Sequence, residues 1–497
     1  MFRLTTAGLA AHGESPALIS QSGSLSYATL AARAEAVARA LRTGGVLPGA
    51  AVALLSSARG FDEAVALCGV LAGGCVAVPL DAAAPPQRLA AILKSRGARA
   101  LVCDEGAQTL AASVEEALRA LDPDDALVRV ELDEQGAIRG GPVSAPPAHE
   151  IALRETTVAC ILHTSGSTGA PKPVPITWEN LDAFTGFWAR EIGLRGEDRV
   201  LRVAELVFDL ALFDHLATFR VGAALAITTR REIASGRALR GAVSALRPTV
   251  IYGVPALFMK LCAALSPGET LDSTLRTVMF AGEVFPPKEL LAFAERVPSA
   301  QLYNLYGPTE TNVCTYHHVA RRGLDGIRDT PIGVPCPYAS CELLAEDGSI
   351  VEGPGIGELY VSGVTALGGG PFPTRDRVER GADGLYYFRG RIDRMVKIRG
   401  YRVEPGEIDA ALHKHPAVEQ AATVAVTDAR LGTVLYAYVA KKRVDPPPST
   451  TDRDLRMYLA TVLPPYMVPD KVFLLDDLPR TTTGKIDYQA LATRQAP

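Results

Sequence analysis

Between Val52 and His163 short apolar runs (AVALLSS, VAVPLD, ALVCD, ALVRVEL, VACILHTSG) alternate with helical patterns such as FDEAVALCGVLAGG, QRLAAILKSRG and SVEEALRAL. That rhythm predicts a parallel sheet with helices on its faces. From about Pro331 to Gly363 the pattern changes to short strand-like runs broken by Gly and Pro, which suits a smaller antiparallel or barrel-like element. From Arg391 onward the chain turns basic and strand-rich (MVKIRGYRVEP), then helical (IDAALHKHP). At 497 residues it exceeds a single core, so at least two domains are expected. The expected class is α/β: a large N-terminal domain of helix-flanked sheets plus the small barrel-like element, residues 1–392, and a small mobile α+β C-terminal domain, residues 393–497.

A formal charge of -4 offers no global attraction to nucleic acid or an anionic membrane, so an anionic ligand needs a local basic site. The N-terminus lacks the sustained apolar core of a signal peptide, and no run of about 18 apolar residues follows. The cytoplasm is the expected location. Eight cysteines, with no CxxC pair or Cys/His cluster, read as small core residues and not as a disulfide framework or zinc site.

Several segments carry chemistry. HTSGSTGAPK, residues 163–172, follows a strand-like run; its small hydroxyl residues and glycines allow close approach of an anion, and Lys172 adds charge. A plain Ser/Gly turn has the same composition, and the GxxxxGK[ST] spacing is missing. In LVFDLALF, Asp209 interrupts an apolar run, so its carboxylate needs a cation: a ligand ammonium, or an internal Arg or Lys. NLYGPTETN joins a turn to Tyr306, which can stack on a purine, and to Glu310, a hard oxygen ligand suited to Mg2+. Asp376 can accept from ribose hydroxyls, with Arg391 close behind, although most of the basic residues nearby read as a solvated strand face. Lys485, in TTTGKID, can neutralise charge on a transferring phosphoryl group.

In order and at these separations, the segments resemble the adenylate-forming superfamily, specifically amino-acid adenylation enzymes of nonribosomal peptide synthesis. LSYATL, LAGGCVAVPLD, GELYVSG and LPPYMVP also look like family motifs, so the match covers nearly the whole chain. The resemblance implies ATP and Mg2+ as cofactors. It places Thr164, Ser165, Gly166, Ser167, Thr168, Gly169 and Lys172 on the triphosphate and Glu310 on magnesium. Tyr306, with Gly307 and Thr309 in its turn, would meet adenine, and Asp376 and Arg391 the ribose. Lys485, Glu310 and Thr164 would be the catalytic groups, Asp393 the hinge, and Gly400 the residue facing a carrier arm in the thioester step. Two departures stand out: the family usually has Gly where Pro173 and Arg375 stand here.

By the same resemblance the amino-acid pocket is lined by Asp209, Leu210, Phe213, Tyr252, Met279, Ala281, Leu305, Val313 and Cys314, with Lys485 completing it. Asp209 would hold an α-ammonium, and the other walls are apolar or aromatic, which favours a small hydrophobic amino acid. The combination looks like that of free-standing L-prolyl-AMP ligases that begin pyrrole biosynthesis. Alanine, valine and pipecolate stay open, because one methylene changes binding by only about 1–3 kcal/mol. The acceptor implied is the phosphopantetheine thiol of a separate peptidyl carrier protein, expected in trans because the chain ends soon after TTTGKIDYQAL. Two other readings are an acyl-CoA ligase, which shares the adenylation step, and a nucleotide-binding regulatory protein without catalysis.

Overall fold

The computed structural model describes residues 1–123, 125, 127–133, 138–139, 157–166, 171–271, 274–321, 324–398, 400–428, 432–442, 450–481 and 486–494. The chain divides into two compact units. One comprises Met1–Leu80, Leu93–Leu162 and Val174–Ile392; the other gathers Asp81–Ile92, His163–Pro173 and Asp393–Pro497.

The larger unit is built on two mainly parallel sheets. In the nine-stranded sheet, parallel strands Gln301–Tyr306, Thr277–Ala281, Val250–Gly253, Arg199–Arg202, Ala224–Ile227 and Pro16–Ser20 lie side by side. Antiparallel strands occupy its edges. The central strands are apolar along their length (VIYG, TVMFA), as a sheet covered on both faces requires. The seven-stranded sheet carries the β/α rhythm read from the sequence: Ala51–Leu55, Val76–Pro79, Ala100–Asp104 and Val128–Leu132 form parallel pairs. Lys172–Thr177 is its edge strand. Pro173 therefore stands on an edge strand, the part of a sheet where proline is tolerated.

An antiparallel meander of four strands, Ala339–Leu344, Gly355–Gly363, Phe372–Arg380 and Tyr386–Arg391, stands where the Gly- and Pro-broken runs led to the expectation of a small antiparallel or barrel-like element, and it continues to Arg391. Its core holds Leu343, Leu359, Val361 and Val378.

In the smaller unit a three-stranded sheet, Val418–Asp428, Gly432–Lys441 and Lys471–Leu475, is apolar on both faces. Ala421, Leu435, Ala437 and Val439 pack with residues of the helices Pro405–His413 and Asp452–Val462. Ala422, Val424, Val434 and Tyr438 pack on the other side with Leu491 of the helix Tyr488–Thr493. All eight cysteines are free thiols and six are buried. No helix among the described residues is long and apolar enough to cross a membrane.

Candidate active site

Strand register assembles the first half of the site. Tyr252 is paired with Met279, and Ala281 with Leu305, across neighbouring parallel strands. Because side chains alternate along a strand, Tyr252, Met279, Ala281 and Leu305 fall on one face. All four pack in one apolar cluster with Phe213, Val313 and, at its margin, Leu210. Tyr252, Ala281 and Leu305 lie at or next to the carboxyl ends of their strands, the position where open α/β sheets bind ligands. The helix Asp209–Val221 covers this face, and its Phe213 ring meets the Tyr252 ring edge-on, centroids 5.6 Å apart.

Asp209 opens that helix, where a carboxylate interacts favourably with the helix dipole. Burial first, and then the Asp209 and Asp214 carboxylates, push the Tyr252 phenol well above its usual range. Asp209 therefore acts on the same ring that closes the apolar cluster. Cys314 packs instead in the core of the antiparallel meander with Tyr306 and Val361, and its thiol lies 3.5 Å from the Tyr306 carbonyl oxygen.

Alternation sends the next residue the other way. Leu305 faces the cluster of Phe213 and Tyr252, whereas Tyr306 joins Leu343 and Val378. Burial, followed by the Asp376 carboxylate, raises the Tyr306 phenol, so it stays protonated and donates to Asp376. Arg391 is opposite Asp376 in the meander and donates to its Oδ1 at 2.6 Å and to the Thr374 carbonyl at 2.8 Å. Tyr306, Asp376 and Arg391, far apart in sequence, thus form one hydrogen-bonded polar group, buried at Tyr306 and Asp376 and half-buried at Arg391. Gly307 is required in the turn after Tyr306, since a Cβ there would lie 1.6 Å from the Asn312 carbonyl oxygen. Glu310 follows within that turn and is buried.

Arg375, one of the two departures, has φ 61°. A glycine is ordinary at such a position because it has no Cβ to clash. The arginine holds it with a backbone N–H donated to Glu358 at 3.2 Å and a 3.7 Å ion pair to the same residue.

Within the smaller unit, the loop residues Thr164–Gly166 have mixed surroundings. Ser165 Oγ donates to the Arg402 carbonyl at 2.8 Å, and the Gly166 N–H donates to Glu407 at 3.2 Å. Glu407 is also ion-paired with Arg88 at 2.5 Å. The buried Thr164 hydroxyl has no partner among the described residues. Lys172 is exposed at the start of its strand. Gly400, φ 85°, belongs to the turn before Tyr401–Val403, and Asp393 accepts from the Met395 N–H at 3.2 Å. Ser167, Thr168, Gly169 and Lys485 lie outside the described residues.

Sequence reasoning passed over Arg88 and Glu407, which look like ordinary surface charges until the fold pairs them. It also passed over Asp214, although FDLALFD places a second aspartate in the same apolar run as Asp209. Among the described residues no cluster of three or more His, Cys, Asp or Glu could hold a metal.

Residues 6–369 match the family model for AMP-binding enzymes and residues 407–485 that for the AMP-binding enzyme C-terminal domain; the chain belongs to this family. It is an amino-acid adenylating ligase using ATP and Mg2+. It is 36% identical over 533 residues to an L-proline--[L-prolyl-carrier protein] ligase of Streptomyces coelicolor, covering 100% of this chain and 97% of that one. A ligase of the same name from Pseudomonas fluorescens is 32% identical over 496 residues, with 97% of each chain covered. The amide bond synthetase McbA of Marinactinospora thermotolerans has the same fold, with TM-score 0.84 at 23% identity over 98% of this chain and 99% of that one.

Proposed function

We propose that this ligase activates L-proline as prolyl-AMP and transfers it to the phosphopantetheine thiol of a separate peptidyl carrier protein. The observation carrying this reading is Asp209 beside a cluster walled by Phe213, Tyr252, Met279, Ala281 and Leu305. One carboxylate suits an ammonium, and the apolar and aromatic walls suit a compact apolar side chain. The two ligases acting on L-proline and a prolyl carrier protein, each matched over nearly its full length, support the same substrate and acceptor.

In this reading the substrate carboxylate attacks the α-phosphorus of ATP and pyrophosphate leaves. The carrier thiol then attacks the adenylate carbonyl and AMP leaves. Tyr306 packs on adenine, Asp376 and Arg391 hold the ribose, and Thr164 to Lys172 grip the triphosphate. Glu310 would hold the magnesium ion, which would supply positive charge to offset that of the phosphates. Lys485 stabilises the charge developing between carboxylate and phosphate. Asp393 serves as the hinge and Gly400 faces the carrier arm in the second step.

The test is a pyrophosphate-exchange panel of all protein amino acids, pipecolate and salicylate, followed by thioester formation on a carrier protein or on coenzyme A. Proline should support the fastest exchange, salicylate none, and the carrier should be the acceptor. Fastest exchange with another amino acid, or acylation of coenzyme A alone, overturns the reading.

A further inference from the structure

We propose that Glu205, gripped by Arg59 and Arg230, is a positioning residue for amine recognition: the three side chains clamp the turn that delivers Asp209 to the amino-acid pocket, a role that rests on the reading of Asp209 as partner of the substrate ammonium and lies one layer behind it.

Asp209 opens the helix over the pocket, and residues 203–208 join that helix to the strand Arg199–Arg202. Connections of this kind are ordinarily the mobile part of an α/β unit. Here three arginines hold it. Arg59 Nη1 donates to the Val203 carbonyl at 2.6 Å, and Arg202 Nε to the Ala204 carbonyl at 3.3 Å. The Glu205 carboxylate takes Arg230 on both oxygens, Nε to Oε1 at 3.0 Å and Nη2 to Oε2 at 3.4 Å, with Arg59 Nε 3.5 Å from Oε1. Arg230 also donates to the Ser57 carbonyl at 3.2 Å, which ties Glu205 a second time to the segment that carries Arg59. The turn then closes on the helix. Glu205 accepts the Phe208 N–H on its carbonyl at 3.0 Å, and Phe208 accepts the Ala211 N–H at 3.1 Å. Between them Leu206 is buried in the apolar cluster of Phe213 and Tyr252.

The chemistry of the clamp favours direction over bulk stability. The Arg59 side chain is fully buried, and burial lowers its guanidinium to about 10, with Glu205 opposing, so it stays charged at neutral pH. Burial raises the Glu205 carboxyl, but the Arg230 hydrogen bonds and the Arg59 charge outweigh it and hold the group below its usual range. A buried ion pair stabilises a fold no better than apolar side chains of similar size, whereas a forked guanidinium–carboxylate contact fixes orientation. Two guanidinium groups neutralise Glu205, so it is not itself the ammonium's partner. What it governs is placement: a charged hydrogen bond weakens steeply as its length and angle leave the optimum, so a small shift of Asp209 lowers amine affinity and leaves the nucleotide's residues in place.

Pyrophosphate exchange is measured for Arg230→Met, Arg230→Lys, Glu205→Gln and the Arg230→Met/Glu205→Gln pair. The Arg230 side chain is 45% exposed, so replacing it opens no cavity. Arg230→Met should raise KM for proline about fivefold and Glu205→Gln about tenfold, the weight of a lost charged hydrogen bond, with KM for ATP within about twofold in both. Arg230→Lys, which keeps the cation, should recover proline KM to within about twofold. The pair should be no worse than Glu205→Gln alone. Unchanged proline KM in either single variant overturns the proposal, and so do additive effects in the pair. An equal rise in both KM values without rescue by lysine does the same, since it marks a merely structural contact. If Glu205→Gln does not fold, judged by circular dichroism, the two Arg230 variants decide on the same criteria. Fastest wild-type exchange with another amino acid sinks the proline assignment alone; KM for that amino acid then carries the comparison, because the ammonium is common to them all. Wild-type exchange confined to acids without an amine sinks the role of Asp209, and the clamp with it.

Discussion

Arg375 occupies a left-handed backbone position with φ 61°, between the strand pairing that ends at Glu358 and the buried Asp376. A non-glycine residue there costs about 1–2 kcal/mol, against about 0.4–1 kcal/mol that glycine costs through the unfolded chain. Arg375→Gly should therefore leave stability unchanged or raise it by up to about 1 kcal/mol, while Arg375→Val should lower it by more than about 1 kcal/mol; chemical denaturation of the three proteins checks this. His215 gives a pH signature at the same scale. Its folded-state value of about 3 lies below the ordinary 6.5, so the unfolded chain binds the extra proton between those values. The stability it contributes is complete above about pH 6.5 and is lost as pH falls toward 3, amounting to about 2 kcal/mol by pH 5. His215→Asn, which can still donate to the Ala211 carbonyl, should lose less Tm than the wild type between pH 7 and 5.

At the scale of elements, the β/α rhythm from Val52 to His163 was legible because parallel strands buried on both faces read as short apolar runs between helical patterns. What it left open was register. A slip of one residue in Thr277–Ala281 would send Met279 and Ala281 away from Phe213 and bring Val278 and Phe280 in their place. The same alternation separates Leu305 from Tyr306 at the end of one strand. The turn that follows depends on Gly307. Gly307→Ala would drive a methyl group to 1.6 Å from the Asn312 carbonyl oxygen. The expected cost exceeds about 2 kcal/mol, read by thermal unfolding, with nucleotide affinity falling alongside as Tyr306 is displaced from Asp376.

For the whole molecule, the two compact units divide between Ile392 and Asp393, and the smaller one takes up His163–Pro173 and Asp81–Ile92 from the N-terminal part of the sequence. Ser165 and Gly166 are engaged there by Arg402 and Glu407, partners more than two hundred residues away. The two-step chemistry proposed above assigns Lys485 to the first step alone. Lys485→Ala should thus reduce proline-dependent pyrophosphate exchange by at least about a hundredfold, the weight of a lost electrostatic stabiliser, while transfer from supplied prolyl-adenylate to a carrier stays within about threefold. Equal loss in both half-reactions counts against that assignment.

The sequence by itself determined the class of fold, the enzyme family and the set of residue types at hand, because strand and helix patterning, turn glycines and ordered motifs are local properties. Only the tertiary structure decided that Tyr306, Asp376 and Arg391 share one hydrogen-bonded group, that Cys314 packs with the meander, and that Asp214 is buried in the helix Asp209–Val221. Each of these depends on strand register and on which face of a helix is covered, and contacts between segments tens or hundreds of residues apart leave no periodic trace along the chain.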